Sequence, residues 1–212
     1  MSPARRTLYD ITPVVSGRIA VWPGDTPFSR EVLLDLGKGD NLTLSTIRST
    51  VHVGAHADAP SHFTAGAPSI ENRPLDLYLG PCQVIRAAAE RGTKVLPDSV
   101  SGSVRAERLL IATGTFPDPD RFNPDFAALS PELIHHLHEH GVRLVGIDTP
   151  SVDLHGSQDL PTHRACLERD MAILEGLTLE GVPDGLYELI ALPLRLEGLD
   201  ASPVRAVLRS LG

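Results

Sequence analysis

The chain has 212 residues, a formal net charge of −8 and a pI near 5.5, with 42% hydrophobic and 22% charged residues. This length suits one domain, residues 1–212, with a substantial core, and the acidic balance argues against nucleic acid and anionic membrane surfaces as partners. No apolar stretch approaches the roughly 18 residues of a bilayer span, and the opening Met-Ser-Pro-Ala-Arg-Arg leads into no signal-peptide apolar core, so the expected compartment is the cytoplasm.

Strand patterns come first along the chain. Arg6–Ile11, Ile19–Trp22, Arg30–Asp35, Leu42–Val51 and Gln83–Ala87 are rich in branched or aromatic residues and are separated by Pro and Gly. Trp22-Pro23-Gly24-Asp25 and Asn72-Arg73-Pro74 read as turns. Leu109–Ala112 and Leu144–Ile147 are short apolar runs ending in loops, which predicts buried strands. Ser130-Pro131-Glu132 starts a helix with Ser as cap and Pro in the first turn, and Gly141 stops it. Leu133, Ile134 and Leu137 form its buried stripe. A second helix runs from about Asp159 to Arg169, with His163, Cys166 and Leu167 on one side. Tyr187–Leu196 reads as a late strand returning to the same sheet. Many strands with a few helices predict an α/β fold, with α+β as the alternative.

Chemistry concentrates between residues 52 and 62, His-Val-Gly-Ala-His-Ala-Asp-Ala-Pro-Ser-His. His52, Gly54, His56, Asp58, Pro60 and His62 share one parity, and small residues fill the other, so an extended chain turns three imidazoles and a carboxylate to one side. A straight strand separates the His52 and His56 Cα atoms by about 13 Å, so with bonds of about 2.0–2.1 Å the two could barely share one metal unless the chain bends between them. A bend is therefore expected at Gly54, where glycine tolerates it. A helical zincin motif is excluded, because Val53 stands where that motif needs Glu.

Other polar residues carry weaker signals. His135, His136, His138 and His140 cluster on the first helix and read as a solvated face. His155 lies in a polar loop and is not taken as a ligand. Cys82 and Cys166 are the only cysteines and read as buried, inert thiols, so any metal site must use imidazole and carboxylate. Trp22, the single tryptophan, sits in a Pro-Gly loop, where it is either core filler or a stacking surface for a substrate ring.

The run matches the His-x-Gly-x-His-x-Asp-x-Pro-x-His signature of the cyclase-like metal hydrolases, and the chain resembles that family over nearly its whole length. Leu8-Tyr9-Asp10-Ile11-Thr12, Val21-Trp22-Pro23-Gly24-Asp25-Thr26-Pro27, Gly146-Ile147-Asp148-Thr149-Pro150-Ser151-Val152-Asp153 and the His163…Glu175 pair carry the likeness, and Trp22 with its neighbours points to the arylformamide-cleaving branch. The resemblance implies a swivelling β/β/α arrangement, a homodimer and a small-molecule substrate, N-formyl-L-kynurenine, cleaved to kynurenine and formate. It also implies zinc, two ions per subunit, with manganese or iron as alternatives. In that scheme His52, His56 and Asp58 hold one metal, His163 supplies the second, and Asp58 and Glu175 bridge the pair. Two divalent cations against two carboxylates favour hydroxide at the metals. His62 is then the proton shuttle to the leaving aniline nitrogen, and Trp22 stacks on the substrate ring. The rival readings are a family hydrolase acting on a cyclic amide such as isatin, and a non-catalytic zinc-binding module.

Overall fold

The structure is a computed structural model that describes residues 6–100 and 104–211. Residues 1–5, on which most of the expected leader-free start falls, lie outside the described residues. In chain order the strands are β1 (Leu8–Asp10), β2 (Ser29–Leu34), β3 (Leu44–Arg48), β4 (His56–Asp58), β5 (Leu79–Arg86), β6 (Lys94–Val95), β7 (Arg108–Ala112) and β8 (Ala128–Leu129). Helix α1 (Pro131–Glu139), β9 (Leu144–Ile147), α2 (Pro161–Glu168), β10 (Ala172–Glu175), β11 (Gly185–Ile190), β12 (Ala201–Pro203) and β13 (Val207–Ser210) follow. Among the described residues no helix is long and apolar enough to cross a membrane.

Nine strands form one mixed sheet in the order β1-β13-β11-β5-β7-β9-β10-β4-β12. The middle four, β5, β7, β9 and β10, run parallel, and antiparallel strands extend the sheet on both sides. Parallel strands are buried on both faces, which is why β7 and β9 read as unbroken apolar runs. On β7 the faces separate cleanly. Leu109 and Ile111 pack with Leu133, Ile134 and Leu137 of α1 and with Ala165 and Cys166 of α2. Leu110 and Ala112 face the opposite layer, with Ile11, Ile70, Leu77, Leu177 and Leu179. The expected α/β class is observed.

Helix α1 begins as its sequence predicts. The Ser130 hydroxyl accepts from the Leu133 N–H at 3.1 Å, Pro131 fills the first turn, and Gly141 (φ +84°) follows the end. Helix α2 is started differently. Leu160, in the left-handed region at φ +45°, provides no side-chain cap, and the distant Asp153 carboxylate accepts from the Thr162 and His163 N–H groups at 3.1 Å.

Two expected strands are corrected. Ile19–Trp22 forms no strand. Pro23 has no N–H to pair, and the segment is held instead by the Ala20 N–H on the Pro119 carbonyl at 2.8 Å. Tyr187–Leu196 pairs only as far as Ile190, after which the Ala191 N–H turns to the Tyr78 carbonyl at 3.0 Å. The β2–β3 pair is a separate two-stranded ribbon, with Leu33, Leu44 and Ile47 exposed.

Gly176, at φ +65°, lies against the backbone of Gly54, and an added methyl there would overlap the Gly54 carbonyl oxygen. Gly176→Ala is expected to cost at least about 1–3 kcal/mol from overpacking, plus roughly 1–2 kcal/mol for alanine in the left-handed conformation. Urea unfolding measures this, and a midpoint equal to wild type would show that the contact is not tight.

Candidate metal centre

Strand register assembles the first part of the site. β4 lies between β10 and β12, with His56 opposite Glu175 and Pro203, and Asp58 opposite Ile173 and Ala201. His56 and Asp58, two residues apart, share a face with Glu175. The period-two reading holds only over these three residues of β4. His52 precedes a turn centred on Gly54 (φ +61°), the expected bend, and the turn brings the His52 ring back to Asp58. His62 is not extended but closes a 3-10 turn, Pro60–His62, with its N–H on the Ala59 carbonyl at 3.0 Å. Pro60 cannot donate to a ladder, so the strand ends before it. α2 supplies His163.

Each of three imidazoles aims one nitrogen at the Asp58–Glu175 pair. His52 Nδ1 lies 3.2 Å from Asp58 Oδ1, and His56 Nε2 lies 3.5 Å from the same oxygen and 3.3 Å from Glu175 Oε2. His163 Nε2 lies 3.4 Å from Asp58 Oδ2 and 3.5 Å from Glu175 Oε1. Their other nitrogens have partners of their own. His56 Nδ1–H donates to the Gly54 carbonyl at 2.9 Å and His163 Nδ1–H to Asp153 at 2.8 Å, while His52 Nε2 meets Asp200 at 2.9 Å. This one-in, one-out pattern is how metal-binding histidines are oriented. Glu175 Oε1 also accepts from the Val152 N–H at 2.7 Å.

The centre fits a metal on its own chemistry. His56 Nε2 and both Asp58 carboxylate oxygens are buried without a hydrogen-bond partner, a costly arrangement that a coordinated cation relieves. Donor atoms of His52, His56 and Asp58 all lie within 4.8 Å of one another, as do those of Asp58, His62 and His163, and those of His52, His62 and Asp200. Nitrogen and oxygen donors of this kind suit zinc and related divalent ions.

The centre opens into a cavity of about 830 Å³. Trp22 lines it, with its ring 4.9 Å from that of His155 at an interplanar angle of 35°, and 5.6 Å from Phe122. His155 therefore belongs to an aromatic wall. His135, His136, His138 and His140 stay on the outer side of α1, and none lines the cavity. Both cysteines are free and buried, which pushes their thiols above the usual range. Two residues of the centre had no assigned role in the sequence reading, Asp153 and Asp200. Asp153 lies ten residues before His163, and that spacing alone gives no reason to connect the two. Nothing near Asp200 marks it, because β12 meets β4 only in the folded sheet.

Without a metal, protons supply the positive charge. Burial pushes the Asp58 carboxyl up, but the imidazoles of His163, His52 and His56 outweigh it and hold Asp58 well below the usual range. Glu175 is likewise lowered, against burial and the Asp58 charge, by His163 and His56. Burial disfavours His52 protonation, yet Asp58 and Asp200 raise its pKa from 6.5 to about 9, and Asp153, Asp58 and Glu175 raise His163 well above its ordinary value. A raised histidine pKa stabilises the fold fully below 6.5 and less as pH climbs toward 9. Chelator-treated protein should lose thermal stability across that interval. Metal-loaded protein should not, because the metal replaces the protons. Scanning calorimetry at stepped pH checks this, and a flat profile for the metal-free protein would refute the proton-balanced centre.

Sequence and structure comparisons agree with this chemistry. The cyclase family profile matches residues 9–154. The kynurenine formamidase of Bordetella petrii is 45% identical over 209 residues, covering 98% of this chain and 100% of the relative. That of Maricaulis maris is 41% identical, covering 96% and 98%. A solved structure described as a potential metal-dependent hydrolase with cyclase activity superposes with a TM-score of 0.85 at 26% identity, covering 98% of this chain and 100% of the other. Isatin hydrolase A from Labrenzia aggregata shares the fold, with a TM-score of 0.82 at 23% identity over 98% of this chain and 94% of the other. With the signature run folded around a buried two-carboxylate centre and full-length relatives at this identity, the chain belongs to the cyclase family of metal-dependent hydrolases, among the kynurenine formamidases.

Proposed function

We propose that this chain hydrolyses N-formyl-L-kynurenine to L-kynurenine and formate, with two zinc ions per subunit held by His52, His56, Asp58, His163 and Glu175. The observation that carries the reading is the set of buried, unpartnered donors, His56 Nε2 and both Asp58 oxygens, beside a cavity of about 830 Å³. The relatives named kynurenine formamidase support the substrate.

When bound, the metal lowers the pKa of a coordinated water and polarises the formyl carbonyl. The chain's own residues do the rest. Gly54, Asp153 and Asp200 fix the three imidazole rings, and the Val152 N–H fixes Glu175. Trp22, with His155 and Phe122 packed against it, offers an aromatic wall for the substrate's aryl ring, worth about 0.5–1.5 kcal/mol beyond area burial. His62, one-third exposed at the cavity edge, carries a proton to the aniline nitrogen as its bond to the formyl carbon breaks. Without that proton the departing anilide is too basic to leave.

The chain works as a single domain over residues 1–212, in the cytoplasm, where two unpaired cysteines are at home. It works as a homodimer. An isolated two-stranded ribbon is marginal in water, and β2–β3 exposes Leu33 (50%), Leu44 (48%) and Ile47 (68%), so a second copy covering it accounts for its apolar character.

Purified zinc-loaded protein should release kynurenine from N-formyl-L-kynurenine and leave isatin unchanged. Turnover of isatin alone would move the chain to the cyclic-amide branch, and metal binding without either activity would favour a binding module. His62→Ala should lower turnover by about 10²–10⁴-fold while retaining full metal content. A loss of metal in that variant would make His62 a ligand. Ile47→Glu should shift the protein from dimer to monomer in sedimentation equilibrium, and an unchanged dimer would remove the ribbon from the interface.

A further inference from the structure

Asp200 stands apart from every histidine motif, yet it contacts two of the histidines at the centre. Its position is set by backbone pairing. The Ala59 N–H donates to the Asp200 carbonyl at 2.8 Å, and the Ile70 N–H donates to the Leu199 carbonyl at 2.9 Å. Residues 199–200 are thus tied to both ends of the segment that carries His62. From there a single carboxylate oxygen, Oδ2, meets His52 Nε2 at 2.9 Å and His62 Nδ1 at 3.2 Å. The two rings lie 4.2 Å apart with an interplanar angle of 42°.

We propose that Asp200 is a positioning residue that sets the ring tautomers of His52 and His62 together, so that one carboxylate serves both metal holding and proton delivery. This rests on the reading of His52 as a ligand and His62 as the proton carrier. An ionised carboxylate only accepts hydrogen bonds, so both ring nitrogens that face Asp200 carry their protons. With a metal taking the place of the second ring proton, His52 would be the Nε2–H tautomer, its Nδ1, which lies 3.2 Å from Asp58 Oδ1, offering its lone pair to the ion. His62 is the Nδ1–H tautomer, which leaves Nε2 free to exchange a proton. In the reaction the water oxygen bonds to the formyl carbon and its proton goes to His62 Nε2. The same proton then passes to the aniline nitrogen as the carbon–nitrogen bond breaks. Asp200 stays ionised throughout and stabilises the transient imidazolium, as the aspartate of a catalytic triad does for its histidine.

The test compares Asp200→Asn with wild type, alone and with His62→Ala. The side chain of Asp200 is 42% exposed, and the asparagine is nearly isosteric, so the variant should fold; circular dichroism verifies it. Bound zinc at saturation should be unchanged, while zinc affinity, read by competition with a chromophoric chelator, should fall about 10–100-fold. The kcat should fall about 10–100-fold with little change in KM. In the His62→Ala background the kcat loss should largely vanish and the affinity loss should persist. Ring-nitrogen NMR of the zinc-loaded protein should show His62 leaving the pure Nδ1–H form. Loss of zinc at saturation would make Asp200 a ligand and overturn the proposal. Unchanged tautomer and affinity would also overturn it, as would a kcat loss that multiplies fully with that of His62→Ala. If His62→Ala alone keeps wild-type turnover, the shuttle reading fails, while the tautomer and zinc-affinity readouts still report on Asp200.

Discussion

Two carboxylates, Asp58 and Glu175, lie buried on adjacent strands and share the imidazoles of His56 and His163, with His52 on Asp58 as a third. Two ionised groups so placed repel each other in a medium that screens poorly, and burial opposes the charge on each. Positive charge must therefore sit between them, as protons on the histidines or as metal ions. Much of the surrounding fold follows from this requirement. β4 is held between β10 and β12 so that His56, Asp58 and Glu175 share a face. α2 carries His163 to the same point, and the Gly54 turn returns His52 to it.

A cluster of this kind costs stability, and the fold offsets it with apolar layers on both faces of the nine-stranded sheet. The orientation of the rings is a separate matter. Asp153 illustrates how compactly it is arranged, since one carboxylate caps the start of α2 and also holds the His163 ring. Moving the helix and turning the ring are thus a single event. Gly176, following Glu175 directly, packs on the Gly54 backbone whose carbonyl receives the His56 Nδ1–H, so Glu175 and the histidine turn are coupled through backbone contact.

The sequence was readable where local chemistry dominates. Leu144–Ile147 is an observed strand with the predicted limits, because a central parallel strand needs apolar residues on both faces and nothing else. Ser130, Pro131 and Gly141 delimit α1 through interactions within a few residues of each other. Ile19–Trp22 was misread because its branched and aromatic residues line a cavity instead of a sheet, and composition does not distinguish the two. The start of α2 is observed where the sequence predicts it, at Pro161, but its cap was out of reach, since it comes from Asp153, well upstream in the chain.

The sequence by itself singled out the polar residues of the run, His52, His56, Asp58 and His62, and the bend at Gly54, because these depend on spacing and on glycine's freedom within eleven residues. His163 and Glu175 could be named only through family likeness. Tertiary structure alone decided that Asp153 and Asp200 contact the rings, that His155 packs against Trp22, and that His62 sits in a tight turn beside the strand. Each of these depends on strand register or on packing between segments far apart in the chain. Such pairings are selected by the whole sheet's burial and hydrogen bonding, and no short stretch of sequence encodes them.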